Sequence, residues 1–275
     1  MSDSILTLAA PPADARIAYG SDPNQFFDLR LPKDELAKND RTKNERRFKS
    51  GYPLVISIHG GYWRAEYNLE HTGHLCAALT SQDLATANLE YRRVGNEGGA
   101  WPNTFADIRS AYNFLLQHAS EHNLDPQKFL IIGHSAGSQL ALCLAGHEPG
   151  VTRVVSLAGV VDLQRAYQLH LSNDAVVEFL RGTPVQVPDH YREADPMQLA
   201  IPRARQWLVH GSADDIVPPG FSRDYVTAKQ NRAGKEKEDV RLLDITAADH
   251  FDLIDPRTRA WKQVEQAVLG LLNPL

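Results

Sequence analysis

A chain of 275 residues that is 43% hydrophobic and 23% charged can bury a sizeable core as a single unit, with no need of disulfides or a structural metal. Its net charge of −5 arises from acids and bases mixed along the chain, a pattern that excludes an electrostatic footprint for nucleic acid or an anionic membrane. The two cysteines, Cys76 and Cys143, each lie in an apolar helical stretch and read as buried free thiols, not as a bridge.

Met1 to Pro12 carries Asp3 and has no Lys or Arg ahead of its short apolar run, so it does not read as a signal peptide. No later stretch approaches the ~18 apolar residues needed to span a bilayer. The expectation is a soluble, cytoplasmic protein. Gln25 to Leu31 (QFFDLRL) reads as an early strand. Residues 33–50, dense in charge and poor in apolar side chains, read as a solvated connection with the composition of a mobile segment.

Leu54 to Ile58 (LVISI) reads as a central buried strand, and His59-Gly60-Gly61-Tyr62-Trp63 follows it. Adjacent glycines free the backbone there to turn its N–H groups toward a reacting carbonyl. The amides of Gly61 and Tyr62, with that of Ala136, are therefore the candidate oxyanion donors, each worth on the order of 3 kcal/mol in such a site. His59 is expected to brace this loop through a hydrogen bond. The Tyr62-Trp63 pair, with Phe251 further on, would either wall a substrate or fill core space beneath the loop.

Helical periodicity at Leu69 to Thr80 and Phe105 to His122 alternates with strands at Leu84 to Tyr91 and Lys128 to Ile132. The second of these strands runs into Gly133-His134-Ser135-Ala136-Gly137, and a helix over Ser138 to Ala145 follows. G-x-S-x-G is informative only in that strand-turn-helix context, where the glycines give room for a strained turn and the first helical amides point at developing negative charge. Ser135 is the candidate nucleophile.

A strand over Arg153 to Leu157 leads to an interval, residues 160–202, far longer than one crossover helix requires. Its helix-like pieces, Leu163 to Leu171 and Ala175 to Leu180, would sit above the carboxyl ends of the strands, where open α/β sheets bind ligands. They form a candidate cap. Next, a strand over Gln206 to His210 ends in a Gly turn carrying Asp214 and Asp215, and a helix over Phe221 to Arg232 follows. The final strand, Val240 to Ile245, precedes Ala-Ala-Asp-His-Phe-Asp (247–252) and the helix Thr258 to Leu272.

A serine hydroxyl needs a base within hydrogen-bond reach, and histidine suits this because its pKa lies near neutrality. Of eleven histidines, His250 alone falls after the last strand and before the last helix, at the same sheet edge as Ser135. A carboxylate must then fix the ring tautomer, and Asp214 or Asp215 is so placed, in the chain order Ser, Asp, His that this fold produces. His71, His74, His118, His122 and His147 read as structural. His71 and His74 share a helical face, yet no third metal ligand accompanies them. No metal or cofactor is expected.

Together these segments predict one α/β domain over 1–275, a mostly parallel sheet of about eight strands with helices on both faces and a small helical cap at 160–202. The motifs H-G-G-Y-W at 59–63, G-H-S-A-G at 133–137, H-G-S-A-D at 210–214 and D-H-F at 249–251 resemble those of the α/β-hydrolase superfamily, most closely its kynurenine formamidase (arylformamidase) branch near the hormone-sensitive-lipase-like esterases. The resemblance extends to Glu90-Tyr91-Arg92, Trp101-Pro102 and Asp107. It implies Ser135 as nucleophile, Asp214 as acid, His250 as base, and Gly61 and Tyr62 in the oxyanion loop.

The implied activity is hydrolysis of a small ester or amide through an acyl-enzyme, with N-formylkynurenine as one candidate substrate and a short-chain carboxylesterase as the alternative. A peptidase is disfavoured because the chain lacks the extra domain that restricts access in oligopeptidases. A non-catalytic ligand-binding homologue is disfavoured because all three residues are present. The expected partner is the small-molecule substrate alone, in a monomer or homodimer.

Overall fold

The computed structural model describes residues 4–33, 50–234 and 237–272. Most of the charged connection expected at 33–50 lies outside the described residues. Eight strands form one sheet in the order β1-β2-β4-β3-β5-β6-β7-β8. They are β1 (Ala15–Ala18), β2 (Phe26–Arg30), β3 (Tyr52–Ile58), β4 (Ala85–Leu89), β5 (Leu124–His134), β6 (Arg153–Leu157), β7 (Arg205–Gly211) and β8 (Asp239–Ile245). Among the described residues, only the β1–β2 and β2–β4 pairs are antiparallel. The sheet is the expected α/β arrangement.

Alternation along the strands divides the core in two. Leu54, Ile56 and Ile58 of β3 face one apolar cluster while Val55 faces the other, and β5 repeats this with Phe129 and Ile131 against Leu130 and Ile132. On the first side lie α2 (Asn103–Gln117) and α3 (Ala136–His147), and on the second lies α1 (Gly73–Thr80). Every residue of α3 from Ala136 to Ala145 is buried. A helix without a solvated face needs cover on its outer side, and the 160–202 interval supplies it.

That interval folds into α4 (Leu163–Gln168), α5 (Ala175–Leu180) and α6 (Pro188–Ala194). Helix α6 reaches α3 through Gln139 Nε2, which donates to Ala194 O at 2.8 Å, and through His147 Nε2, 2.9 Å from Glu193 O. After it come α7 (Gly220–Gln230) and α8 (Trp261–Leu272), the latter burying Val264, Val268 and Leu271 in the second cluster.

Register fixes what meets at the carboxyl edge. Ile58 pairs with Gly133, His134 with Leu157, Leu157 with Val209 and Gly211 with Ile245. The segments that follow β3, β5, β7 and β8 therefore emerge side by side, and they carry Gly61, Ser135, Asp214 and His250. Cys76 and Cys143 are buried and free. Among the described residues, no helix is long and apolar enough to cross a membrane.

Candidate active site

Ser135 occupies φ 54°, ψ −120°, a conformation that costs a non-glycine residue about 1–3 kcal/mol and persists only where its surroundings over-determine it. Three hydrogen bonds do so: Ser135 N donates to Leu157 O at 2.8 Å, and Ser135 O accepts from Ser138 N at 3.0 Å and Val160 N at 3.3 Å. Ser138 adds a staple that sequence reading took for an ordinary helix residue. Its Oγ lies 2.7 Å from Gly133 O and 3.2 Å from Leu157 O, and it accepts from Leu157 N at 3.1 Å, joining the end of β5 to the end of β6. Close packing explains the flanking glycines. A Cβ on Gly137 would lie 2.1 Å from Ile58 O, and one on Gly133 would lie 2.3 Å from Gly137 O, both backbone atoms that cannot swing aside.

His250 Nδ1 is 2.7 Å from Asp214 Oδ2. A carboxylate there makes Nδ1 the donor and leaves the Nε2 lone pair free, the tautomer a general base requires. The other carboxyl oxygen, Oδ1, accepts from Ile216 N at 2.9 Å and Val217 N at 2.8 Å. Asp215 is exposed, so of the two candidate acids it is Asp214 that faces the ring.

A second histidine, the first residue of the H-G-S-A-D motif and one with no role assigned to it from sequence, also serves this carboxylate. His210 Nε2 lies 3.2 Å from Asp214 Oδ2 and 2.9 Å from Val217 O, while its Nδ1 is 2.7 Å from Ser222 Oγ. Burial would raise the Asp214 carboxyl, but the hydrogen bonds from His210 and His250, the charge of His250 and the Val217 amide together hold it well below the ordinary carboxylate range. Asp249 and Asp252 flank the ring in sequence yet shape the turn instead. Asp249 Oδ1 accepts from Phe251 N and Asp252 N, and Asp252 Oδ2 accepts from Asp249 N.

The elbow and the His250 loop are tied through His134. Its Nε2 donates to His250 O at 3.0 Å and the two rings lie 4.6 Å apart. Burial, then the proximity of His250 and His71, keeps His134 well below the ordinary histidine pKa, so this neighbour of Ser135 is neutral. Asp214 and His250 are thus hydrogen-bonded to one another, and His134, the residue before Ser135, links them to the elbow; among the described residues no hydrogen bond joins Ser135 Oγ to the His250 ring. Such bonds often close only when substrate displaces solvent.

Gly60 packs against the elbow so closely that a Cβ on it would lie 2.9 Å from Ser135 Cβ. Beyond it, Gly61, Tyr62 and Trp63 all have positive φ, at 102°, 48° and 58°, and Arg64 N closes the turn on Gly61 O at 2.9 Å. Two successive bulky residues in the left-handed region are unusual and costly. Ala136 opens α3, where the first amides have no intrahelical acceptor. Of the amide-bearing residues singled out from sequence, Ala136 follows Ser135 directly, and Gly61 and Tyr62 follow the glycine that packs on the elbow.

The side chains of the turn differ from one another. Tyr62 is half-buried, its hydroxyl donating to Ile216 O at 3.1 Å, and burial with the nearby Asp214 carboxylate pushes its pKa up to about 12. Trp63 is only 1% exposed, stacked 4.6 Å from Phe179 with its Nε1 bonded to Gln139 Oε1 at 3.0 Å. This corrects its assignment as a substrate contact: Trp63 fills core space, the other role the sequence allowed. Phe251 is half-buried, its ring nearly perpendicular to the His250 ring with centroids 5.2 Å apart.

His59 is fully buried and braces the loop, with Nδ1 2.8 Å from Gly60 O and Nε2 3.1 Å from Glu90 Oε1. Glu90 is held in turn by Arg93 at 3.0 Å. Arg92 and Asp107, noted separately in sequence, are paired at 2.8 Å. Among the described residues, no group of three or more His, Cys, Asp or Glu side chains is arranged to hold a metal. A cavity of about 310 Å³ beside α4, lined by residues that include Asp162, Arg165 and Asp195, is not lined by Ser135, Asp214 or His250.

Residues 43–228 match the BD-FAE family model. The chain is 25% identical over 238 residues to Esterase LipQ of Mycobacterium tuberculosis, covering 80% of this chain and 55% of that protein. It is 22% identical over 233 residues to a kynurenine formamidase of Salmo salar, covering 80% and 73%. A solved structure of a truncated carbohydrate esterase from gut microbiota superposes with a TM-score of 0.75 at 19% identity, over 96% of this chain and 97% of that one, and shows the same fold. The chain spans about half the length of the first curated relatives it matches.

Proposed function

The chain belongs to the BD-FAE family, within the α/β-hydrolase superfamily, and from that premise we propose that it is a serine hydrolase of the carboxylesterase type. One observation carries the reading: an Asp214 carboxylate bonded at 2.7 Å to His250 Nδ1, with the His250 carbonyl tied at 3.0 Å to His134, the residue preceding a serine held at φ 54°, ψ −120°.

In this reading Ser135 Oγ attacks the carbonyl carbon of a small ester as His250 Nε2 takes its proton. Negative charge on the former carbonyl oxygen is met by the amides of Ala136, Gly61 and Tyr62. The imidazolium, stabilised by Asp214, then protonates the leaving alkoxide, and an acyl-enzyme remains on Ser135. Water, deprotonated by the same nitrogen, releases the acid and restores the serine.

Cleavage of an aryl formamide is the second reading, favoured by the H-G-G-Y-W motif and the formamidase relative. The burial of Trp63 weakens its physical basis, since only Tyr62 and Phe251 remain to meet an aryl group. Measuring kcat/KM for p-nitrophenyl acetate beside N-formylkynurenine orders the two. Higher turnover of the acetate is expected, and a formamide value higher by two orders of magnitude overturns that order. Absence of activity on both, in a folded protein, overturns the hydrolase reading for small acyl substrates.

A further inference from the structure

The cap and the oxyanion turn are bound to one another on three sides. Arg64, the residue after the turn, extends its guanidinium into the cap, where Nε meets Glu178 Oε2 at 2.9 Å, NH2 meets Ser172 O at 2.8 Å and NH1 meets Ser172 Oγ at 3.1 Å. Trp63 lies flat on Phe179 of α5, with the rings 6° from parallel. The Trp63 indole N–H also reaches Gln139, whose amide passes the connection on to Ala194 O at the end of α6.

Phe179 itself is fixed from behind, its carbonyl accepting from Trp101 N at 2.9 Å, and Arg181 NH2 donates to Gly99 O at 2.9 Å. The cap segment that Arg64 grips is as strained as the turn: Ser172, Asn173 and Asp174 all have φ between 50° and 59°. The left-handed run Gly61–Trp63, through the Arg64 that follows it, is thus held against the left-handed run Ser172–Asp174 by one guanidinium. A lid that swings open would have to break the guanidinium fork, the ring stack and the Gln139 relay together, and would release the turn that carries Gly61 and Tyr62.

We propose that the cap is a buttress for the oxyanion turn, in which Arg64 and Phe179 are positioning residues that hold the Gly61 and Tyr62 amides in donor geometry. This inference rests on the serine-hydrolase reading. It assigns the cap a part in transition-state stabilisation even for substrates too small to touch it. Loosening the contact therefore lowers kcat more than it raises KM.

The test compares an aryl ester with its thionoester, in which sulfur replaces the carbonyl oxygen and accepts hydrogen bonds poorly. For Arg64→Met and Phe179→Ala, kcat on the ester is expected to fall at least tenfold with KM within threefold, while the thionoester rate falls less than threefold, so the ester-to-thionoester ratio collapses. Arg64→Lys, which keeps a donor toward Ser172 O, is expected to recover part of that ratio. Equal losses on both substrates, or a loss confined to KM, overturns the buttress. Should Phe179→Ala fail to fold, Arg64→Met decides, because that side chain lies at the partly exposed rim. Failure of a fluorophosphonate to label wild-type Ser135 overturns the underlying hydrolase reading and the inference with it. Normal labelling with an unchanged ratio in Arg64→Met overturns the buttress alone.

Discussion

Asp214 Oδ2 stands 2.7 Å from His250 Nδ1 and 3.2 Å from His210 Nε2, so one carboxylate oxygen serves two buried imidazoles. Its partner oxygen is saturated by two backbone amides. The whole loop after β7 is thereby organised around a charge that must stay ionised.

Asp214→Asn tests that requirement. Loss of the carboxylate removes the tautomer lock and the partner of the imidazolium, and kcat at neutral pH is expected to fall by about 10³–10⁴-fold. Stability should respond as well. A carboxyl held below its ordinary value of 3.8 takes up its proton later in the folded than in the unfolded chain, so its contribution is full above about pH 4 and is lost as pH drops further. The advantage of wild type over Asp214→Asn in thermal unfolding should shrink between pH 6 and pH 3, and an advantage that stays constant over that range contradicts the assignment.

His210→Phe separates brace from base. The substitution strips Asp214 of one donor and leaves the Val217 carbonyl and the Ser222 hydroxyl without their buried partner, a loss of about 1–3 kcal/mol in denaturant unfolding. A kcat reduced but measurable is expected, against near-complete loss for His250→Ala. Equal loss in both variants contradicts the division of labour.

Much of this arrangement was legible in the chain, and the exceptions have physical causes. Strands β3 and β6 and the Phe129–Ile132 part of β5 are nearly continuous apolar runs because both faces of the sheet are covered, and runs of that kind announce themselves. Strand β1 went unread because Ala15–Ala18 is an exposed edge segment with almost no burial to impose a pattern. Helix α6 was missed for a similar reason: Pro188–Ala194 is polar, and only Tyr191 and Ala194 turn inward. Ser135 and His250 stood out because each sits in a local motif. The roles of His210 and Ser138 did not stand out, although His210 opens the H-G-S-A-D motif, since they depend on partners 4 to 19 residues away that the folded sheet edge brings close. The ambiguity over Trp63 was inherent, because an indole that walls a substrate and one that stacks on Phe179 look the same in sequence.

Ser138→Ala asks whether the elbow depends on its staple. Removing Oγ leaves Leu157 N without that acceptor, and about 1–3 kcal/mol of stability is expected to go with it, together with a drop in kcat. Fluorophosphonate reactivity should persist at a reduced rate, since Ser138 is not the nucleophile. Complete loss of labelling in a folded Ser138→Ala protein contradicts that assignment.

Gly137→Ala probes the same turn sterically. With Ile58 O only 2.1 Å from the added methyl, α3 or β3 must shift, at a cost of about 3 kcal/mol or more. Urea titration should show the midpoint falling with little change in slope, and a midpoint within error of wild type contradicts the packing.

The most direct measurement is the mass of the protein after brief exposure to a fluorophosphonate, followed by peptide mapping of wild type, Ser135→Ala and His250→Ala. A single adduct on the peptide bearing Ser135 is expected, absent in Ser135→Ala and formed far more slowly in His250→Ala. An adduct on another serine, or ester hydrolysis that survives in Ser135→Ala at the wild-type rate, would contradict the assignment of Ser135 as nucleophile.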